Sequence, residues 1–215
     1  LFGLGACFGN SVAFGIPLMY SIFGPIDVMP YMILVLFHGL IHFTYTTLII
    51  ESYRNRTLPG IELIFKTILG LIKNIVLFGM FIGLFLNVSK IPMPNTLGIF
   101  LIPLSKIALP CVLISLGIAL GGFKIFNKLS HCLVLTFLKN FIYPTVAFII
   151  TKYIFLMPET LIVIATLAAA LPSGSQTYYF SYRYNSLQET ITSNILFSTF
   201  VSFFTLSFLI VIFGY

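Results

Sequence analysis

Asn10, Gly15 and Pro17 lie in an apolar run, Cys7-Phe8-Gly9-Asn10-Ser11-Val12-Ala13-Phe14-Gly15-Ile16-Pro17-Leu18, that is part of a stretch long enough to cross a bilayer. Proline lacks the backbone N–H, and its ring clashes with the carbonyl four residues back. Glycine lowers the cost of leaving helical geometry. The stretch therefore reads as a helix broken at membrane depth. Backbone groups freed there have no water to bond, so the break must be buried in protein or line a cavity. Ala170-Leu171-Pro172-Ser173-Gly174-Ser175-Gln176-Thr177 repeats the pattern near the other end. Half-helix N-termini at such breaks present N–H groups and the positive end of the helix dipole, which suit a carboxylate. The residues expected to hold it are Asn10, Gly15, Pro17, Pro172, Ser173, Gly174 and Gln176. The amides of Asn10 and Gln176 supply both donor and acceptor atoms. The plainer alternative is that the breaks only bend packed helices.

Lys139 adds a cation inside an apolar span. A charge at that depth faces protein or water. It neutralises an anion, braces the broken helix, or snorkels to the surface along its aliphatic stem. Lys106 is a second intramembrane cation, suited to lining a cavity or to pairing with a carboxylate outside these residues. His38 and His42 share a helix face. No Glu, Asp or Cys supplies an evident third ligand, so packed histidines are expected and no metal. Cys7, Cys111 and Cys132 show neither metal spacing nor a disulfide framework. Asp27, Glu51, Glu62, Glu159 and Glu189 all fall in connections or at span ends, which leaves no carboxylate proton relay within a span. With no phosphate loop and no nucleophile–base arrangement, neither enzyme activity nor a cofactor is expected.

The elements that must position these residues follow from composition. The 215 residues are 59% hydrophobic and only 7% charged, with a mean hydropathy of +1.10. No water-soluble domain of this size hides so much apolar surface. The surrounding solvent must be lipid, and the fold an all-α integral membrane protein. A net charge of +6 then reports orientation and not a nucleic-acid partner. A spanning helix takes roughly 20 apolar residues. Seven such segments are predicted, at 1–23, 28–50, 75–88, 97–120, 133–155, 160–182 and 187–213, the first and sixth being broken. Residues 61–72 show helical periodicity and suit a helix lying along the interface. Arg54, Arg56, Lys66, Lys73, Lys124, Lys128 and Arg183 collect on one side of the membrane, and only Lys90 and Lys152 on the other. The basic side is therefore expected to be cytoplasmic and the C-terminus outside.

After Lys73 the spans read whole, whole, whole, broken, whole; before it they read broken, whole. Two five-span repeats in series have opposite orientations, the plan of many secondary carriers. On that plan the chain, which opens inside a span, is a fragment lacking three spans of its first repeat. Residues 1–50 close the first repeat, 51–74 form a cytoplasmic linker, and 75–215 make the second repeat.

Cys7-x-x-Asn10-x-x-x-x-Gly15-Ile16-Pro17-Leu18 resembles the fourth-helix crossover motif of the auxin efflux carrier family, which includes plant PIN proteins and bacterial permeases. Leu36-Phe37-His38-Gly39 resembles that family's fifth span and Lys73-Asn74 the start of its sixth. Pro110 with Leu116-Gly117 resembles the seventh, and Lys139 ahead of Pro144 the eighth. Ala169-Ala170-Leu171-Pro172-x-Gly174, followed by Phe180 and Arg183-Tyr184-Asn185, resembles the ninth. The resemblance implies ten helices in two inverted five-helix repeats, with helices four and nine crossing at their breaks and this chain starting at helix four. It implies a scaffold domain facing a moving transport domain in an elevator-like cycle, and leaves open a homodimer through the scaffold. The short link between helices five and six is similar to bacterial members.

The expected function is a secondary transmembrane carrier of a small organic anion, auxin-like or a dicarboxylate, in the cell membrane, with the lipid bilayer as its environment. A structural subunit or non-functional fragment is the first alternative, and a polytopic membrane enzyme the second.

Overall fold

In lipid a chain satisfies its backbone through helices or a closed barrel. The computed structural model describes residues 1–57, 59–73, 75–122 and 129–215, and contains no strand among them. Its helices are α1 (Phe2–Cys7), α2 (Ile16–Asp27), α3 (Met29–Arg54), α4 (Gly60–Ile72), α5 (Ile75–Val88), α6 (Asn95–Gly122), α7 (Leu129–Phe137), α8 (Tyr143–Ile149), α9 (Glu159–Ala170), α10 (Gln176–Arg183) and α11 (Gln188–Ile212). Wide π-helical turns occupy Ser11–Gly15, Leu138–Ile142 and Ile150–Ile154. Among the described residues, Met29–Arg54, Leu129–Ile154 and Gln188–Ile212 are long and apolar enough to cross a membrane. The expected third span is α5, which has 14 residues, short of the roughly 20 a crossing helix needs. Asn74, Lys124 and Lys128 lie outside the described residues, as do the side chains of Lys66, Pro110 and Leu116.

The chain divides into two compact units. The first, Leu1–Val35 with Leu109–Tyr215, holds both expected breaks. Within it Leu129–Ile154 packs against α9 and α11. Its core gathers Met19, Val28 and Tyr31 with Val163, Leu167, Leu171 and Leu206. The alanines ending α9 let neighbouring backbones come close, as small residues do between membrane helices. Polarity runs inside out along α11. Thr190, Asn194, Ser198 and Ser202, four residues apart and thus on one face, are buried, whereas Phe200 and Phe208 are 68% and 65% exposed. That distribution suits lipid outside and hydrogen bonds inside.

The second unit, Leu36–Ala108, contains most of α3, then α4 and α5, which pack together, and the start of α6. Ile61, Ile64, Phe65 and Ile68 of α4 are exposed. On α3 the rings of His38 and His42 lie 4.2 Å apart, and His42 Nδ1 is 2.8 Å from the His38 carbonyl oxygen. The Lys106 side chain is exposed on α6.

Candidate functional site

The first break is built from three adjoining pieces. α1 ends at Cys7, and Phe8 turns extended, with φ −79° and ψ 113°. Asn10 is also non-helical, with φ −75° and ψ 62°. The wide turn Ser11–Gly15 follows, closed by the Gly15 N–H donating to the Asn10 carbonyl at 3.0 Å. Helix α2 then starts with Pro17 in its first turn, where the missing N–H leaves no gap. The chain therefore bends at Phe8–Asn10, upstream of the proline expected to bend it. Pro144 is placed alike, in the first turn of α8 directly after the wide turn Leu138–Ile142. In both cases the carbonyl four residues before the proline, that of Ala13 or Asn140, belongs to the wide turn. A proline ring needs that carbonyl moved aside.

The second break is simpler. α9 stops at Ala170, and Leu171 is extended with ψ 149°, as the residue before a proline tends to be. α10 begins at Gln176, and Leu171, Pro172, Ser173, Gly174 and Ser175 are all buried.

The two breaks meet. The Asn10 N–H donates to the Pro172 carbonyl at 2.8 Å, and the Gly174 N–H donates to the Phe8 carbonyl at 2.9 Å. The result is a short antiparallel bridge centred on Gly9 and Ser173. Backbones approach so closely that a Cβ on Gly174 would lie 2.6 Å from Phe8 Cδ1 and 2.9 Å from the Gly9 carbonyl oxygen. Gly15 is as confined, since its Cβ would fall 1.7 Å from Tyr31 Oη. The Tyr31 hydroxyl donates to the Ser11 carbonyl at 2.7 Å and so pins the wide turn.

Side chains lock the bridge from below. Ser173 Oγ donates to the Gly5 carbonyl at 2.9 Å and accepts from Asn194 Nδ2 at 2.7 Å. The Ser173 N–H donates to Ser198 Oγ at 3.0 Å. Thr136 Oγ1 donates to Asn194 Oδ1 at 3.0 Å, and Asn140 Nδ2 to the Ser198 carbonyl at 3.0 Å. Lys139 is fully buried. Its ammonium donates to the Ala169 carbonyl in the last turn of α9 at 2.5 Å and sits 5.0 Å over the Tyr143 ring. It braces the broken helix, as a cation at a helix C-terminus does, and does not snorkel.

The expected ligand residues therefore separate. The N–H groups of Asn10, Ser173 and Gly174 are bonded to protein, and the Ser173 hydroxyl is fully engaged. Pro17 is exposed, Asn10 and Gln176 are half-buried, and Gly15 and Pro172 are buried. The oxygens Asn10 Oδ1 and Gln176 Oε1 are buried without a hydrogen-bond partner. Sequence reasoning passed over Tyr31, Asn140, Asn194 and Ser198. The four-residue spacing of polar residues along α11 was the available signal for the last two.

Interrupted apolar helices meeting in this way are what secondary transporters place at their substrate sites, and the class of the protein is a membrane transporter. More particularly, residues 1–210 match the family described as membrane transport protein, and the chain belongs to it, the auxin efflux carrier family. No curated protein matches the sequence.

Proposed function

We propose that the protein is a secondary carrier of a small organic anion, auxin-like or a dicarboxylate, working by an elevator-type alternating-access cycle. The observation that carries this reading is the bonded pair of breaks, Asn10 to Pro172 and Phe8 to Gly174. Beside them the amide oxygens of Asn10 and Gln176 are buried without partners, as is that of Asn140 in the wide turn below. Buried polar groups are nearly always bonded, so an orphan of this kind calls for a missing partner. Turning the Asn10 or Gln176 amide presents an NH2 donor to a carboxylate instead. Gly15 and Pro17 shape the wall on the α2 side, and Pro172, Ser173 and Gly174 the other. Lys139 supplies positive charge behind the Gly9 backbone, where a Cβ would lie 3.5 Å from its Nζ.

The elevator part draws support from the division of the chain. Both breaks fall in one compact unit, and residues 36–108 form another. The first unit would carry the substrate and the second would serve as scaffold, through which two copies pair. In this reading residues 1–50 and 75–215 belong to two inverted repeats joined by 51–74. The basic connections face the cytoplasm, and the membrane is that of the cell.

The test is counterflow in vesicles reconstituted with the full-length protein. Vesicles are loaded with unlabelled indole-3-acetate or malate, and labelled compound is added outside. Labelled anion accumulating transiently is the expected result. No exchange of either carboxylate, in vesicles shown to contain folded protein, overturns the reading.

A further inference from the structure

Among the described residues Lys139 is the only charged side chain that is fully buried, and no carboxylate pairs with it. The groups holding it are weak counter-charges. One is the Ala169 carbonyl at the negative end of α9, the other the face of the Tyr143 ring. Of the elements packed against its turn, α1 brings Cys7, α7 brings His131 and Cys132, and α8 brings Tyr143. α9 carries only Glu159, in its first turn and far from Ala169, and α11 only Glu189, in its own first turn. Cys7 and Tyr143 are the titratable groups that interact with Lys139. An uncompensated buried cation is costly. A carboxylate arriving beside Asn10 would supply the counter-charge from across the Gly9 backbone, over a short low-dielectric path.

We propose that the Lys139 amine is the proton-binding site of a proton–anion symport. The proposal rests on the organic-anion reading above and names its coupling ion. The substrate carboxylate binds with Lys139 as ammonium, and the pair crosses with no net charge from a monoanion. On the far side the carboxylate leaves and the ammonium releases its proton to water. The empty crossover then returns with a neutral amine. Anion and proton favour each other's binding by the same factor, as linkage requires. The empty carrier never moves a bare cation through the membrane.

The experiment uses the same vesicles with a pH-sensitive dye inside and whichever carboxylate exchanges. Acid outside is expected to drive net uptake together with dye-reported proton entry in the wild type. Lys139→Arg keeps the cation but not a releasable proton. Relative to the variant's own counterflow at equal pH, its gradient-driven accumulation is expected to fall by about tenfold or more. Cys7→Ala is expected to keep both. A purely bracing lysine would leave the proton coupling of the arginine variant intact, and that result overturns the proposal. So does wild-type exchange with no proton movement, which needs no variant to fold. Absence of any exchange would end the anion reading itself.

Discussion

The two breaks share an outline and differ in what surrounds them. At the second, Leu171 and Ser173 are fully buried, and the Ser173 N–H and hydroxyl are engaged by Ser198, Gly5 and Asn194. At the first, Asn10 is half-buried, Val12 is exposed, and the Asn10 side-chain oxygen bonds nothing. Satisfied polar networks rigidify a core, whereas an unpartnered polar group marks an unfinished environment. Ser173 at the second break is thus an anchor, whereas Asn10 at the first, like Gln176 where α10 starts, keeps an unpartnered oxygen, the face proposed for a ligand. Substitutions that only disturb the anchor should act on stability, and substitutions at the open face on transport.

The largest expected effect is at Gly174. A Cβ there meets the Gly9 carbonyl oxygen and the Phe8 ring, and the carbonyl belongs to the bridge that joins the breaks. Gly174→Ala should cost about 3 kcal/mol or more, at the upper end of overpacking penalties, and lower the thermal unfolding midpoint in detergent sharply. A midpoint close to that of the parent would show that the bridge can open at little cost. Next comes Ser173→Ala. It removes the donor to Gly5 and leaves Asn194 Nδ2 with its longer bond to the Gly5 carbonyl at 3.3 Å. Loss of a buried, doubly used hydroxyl should destabilise by about 1–3 kcal/mol, with residual transport following the folded fraction. Transport lost at unchanged stability would mean that the Ser173 hydroxyl itself meets the ligand and would erase the contrast between the breaks.

How much of this the amino acids announce depends on the range of the force involved. Proline and glycine act through their own backbone, so the second break is legible almost to the residue at Pro172. The first is legible only in outline. Pro17 signals a disturbance, but the chain relieves the ring through a wide turn and bends at Phe8–Asn10, where packing against Pro172 and Gly174 decides the place. The whole spans over α3, Leu129–Ile154 and α11 follow from apolar length. The stripe from Thr190 to Ser202 is written at helical spacing, yet α11 scans as apolar because its Phe residues outweigh the small polar ones. The partner of Lys139 leaves no trace at all. It is a main-chain carbonyl, which every residue possesses, freed only because α9 stops where it does. The encounter of the breaks depends on residues more than 160 positions apart, as in the Ser173–Gly5 bond, and no local pattern encodes it.

Tyr31 tests the border between the two regions. Its hydroxyl donates to the Ser11 carbonyl in the wide turn, while its ring lies in the core with Leu171. Tyr31→Phe should remove one hydrogen bond and keep the packing, at a cost of about 1 kcal/mol in thermal or denaturant unfolding. A larger loss would mean that the wide turn depends on that single bond, and the first break would then be less independent of its surroundings than the comparison holds.

The smallest effect on stability is expected where the effect on transport is greatest. The Asn10 backbone makes the bridge, but its side-chain oxygen is buried without a partner. Alanine keeps the bridging N–H and removes an acceptor whose desolvation nothing offsets. Asn10→Ala should therefore change stability by less than about 1 kcal/mol, in either direction. If the amide is held in place to meet a substrate, counterflow should fall by about tenfold or more, since a site built to bond a polar group loses that much when the bond is gone. Many active sites keep function at the expense of stability in this way. An Asn10→Ala protein that exchanges carboxylates normally would show that the open face of the first break is not where the anion binds. One that unfolds would show that both breaks are anchors, with the ligand held elsewhere in the bundle.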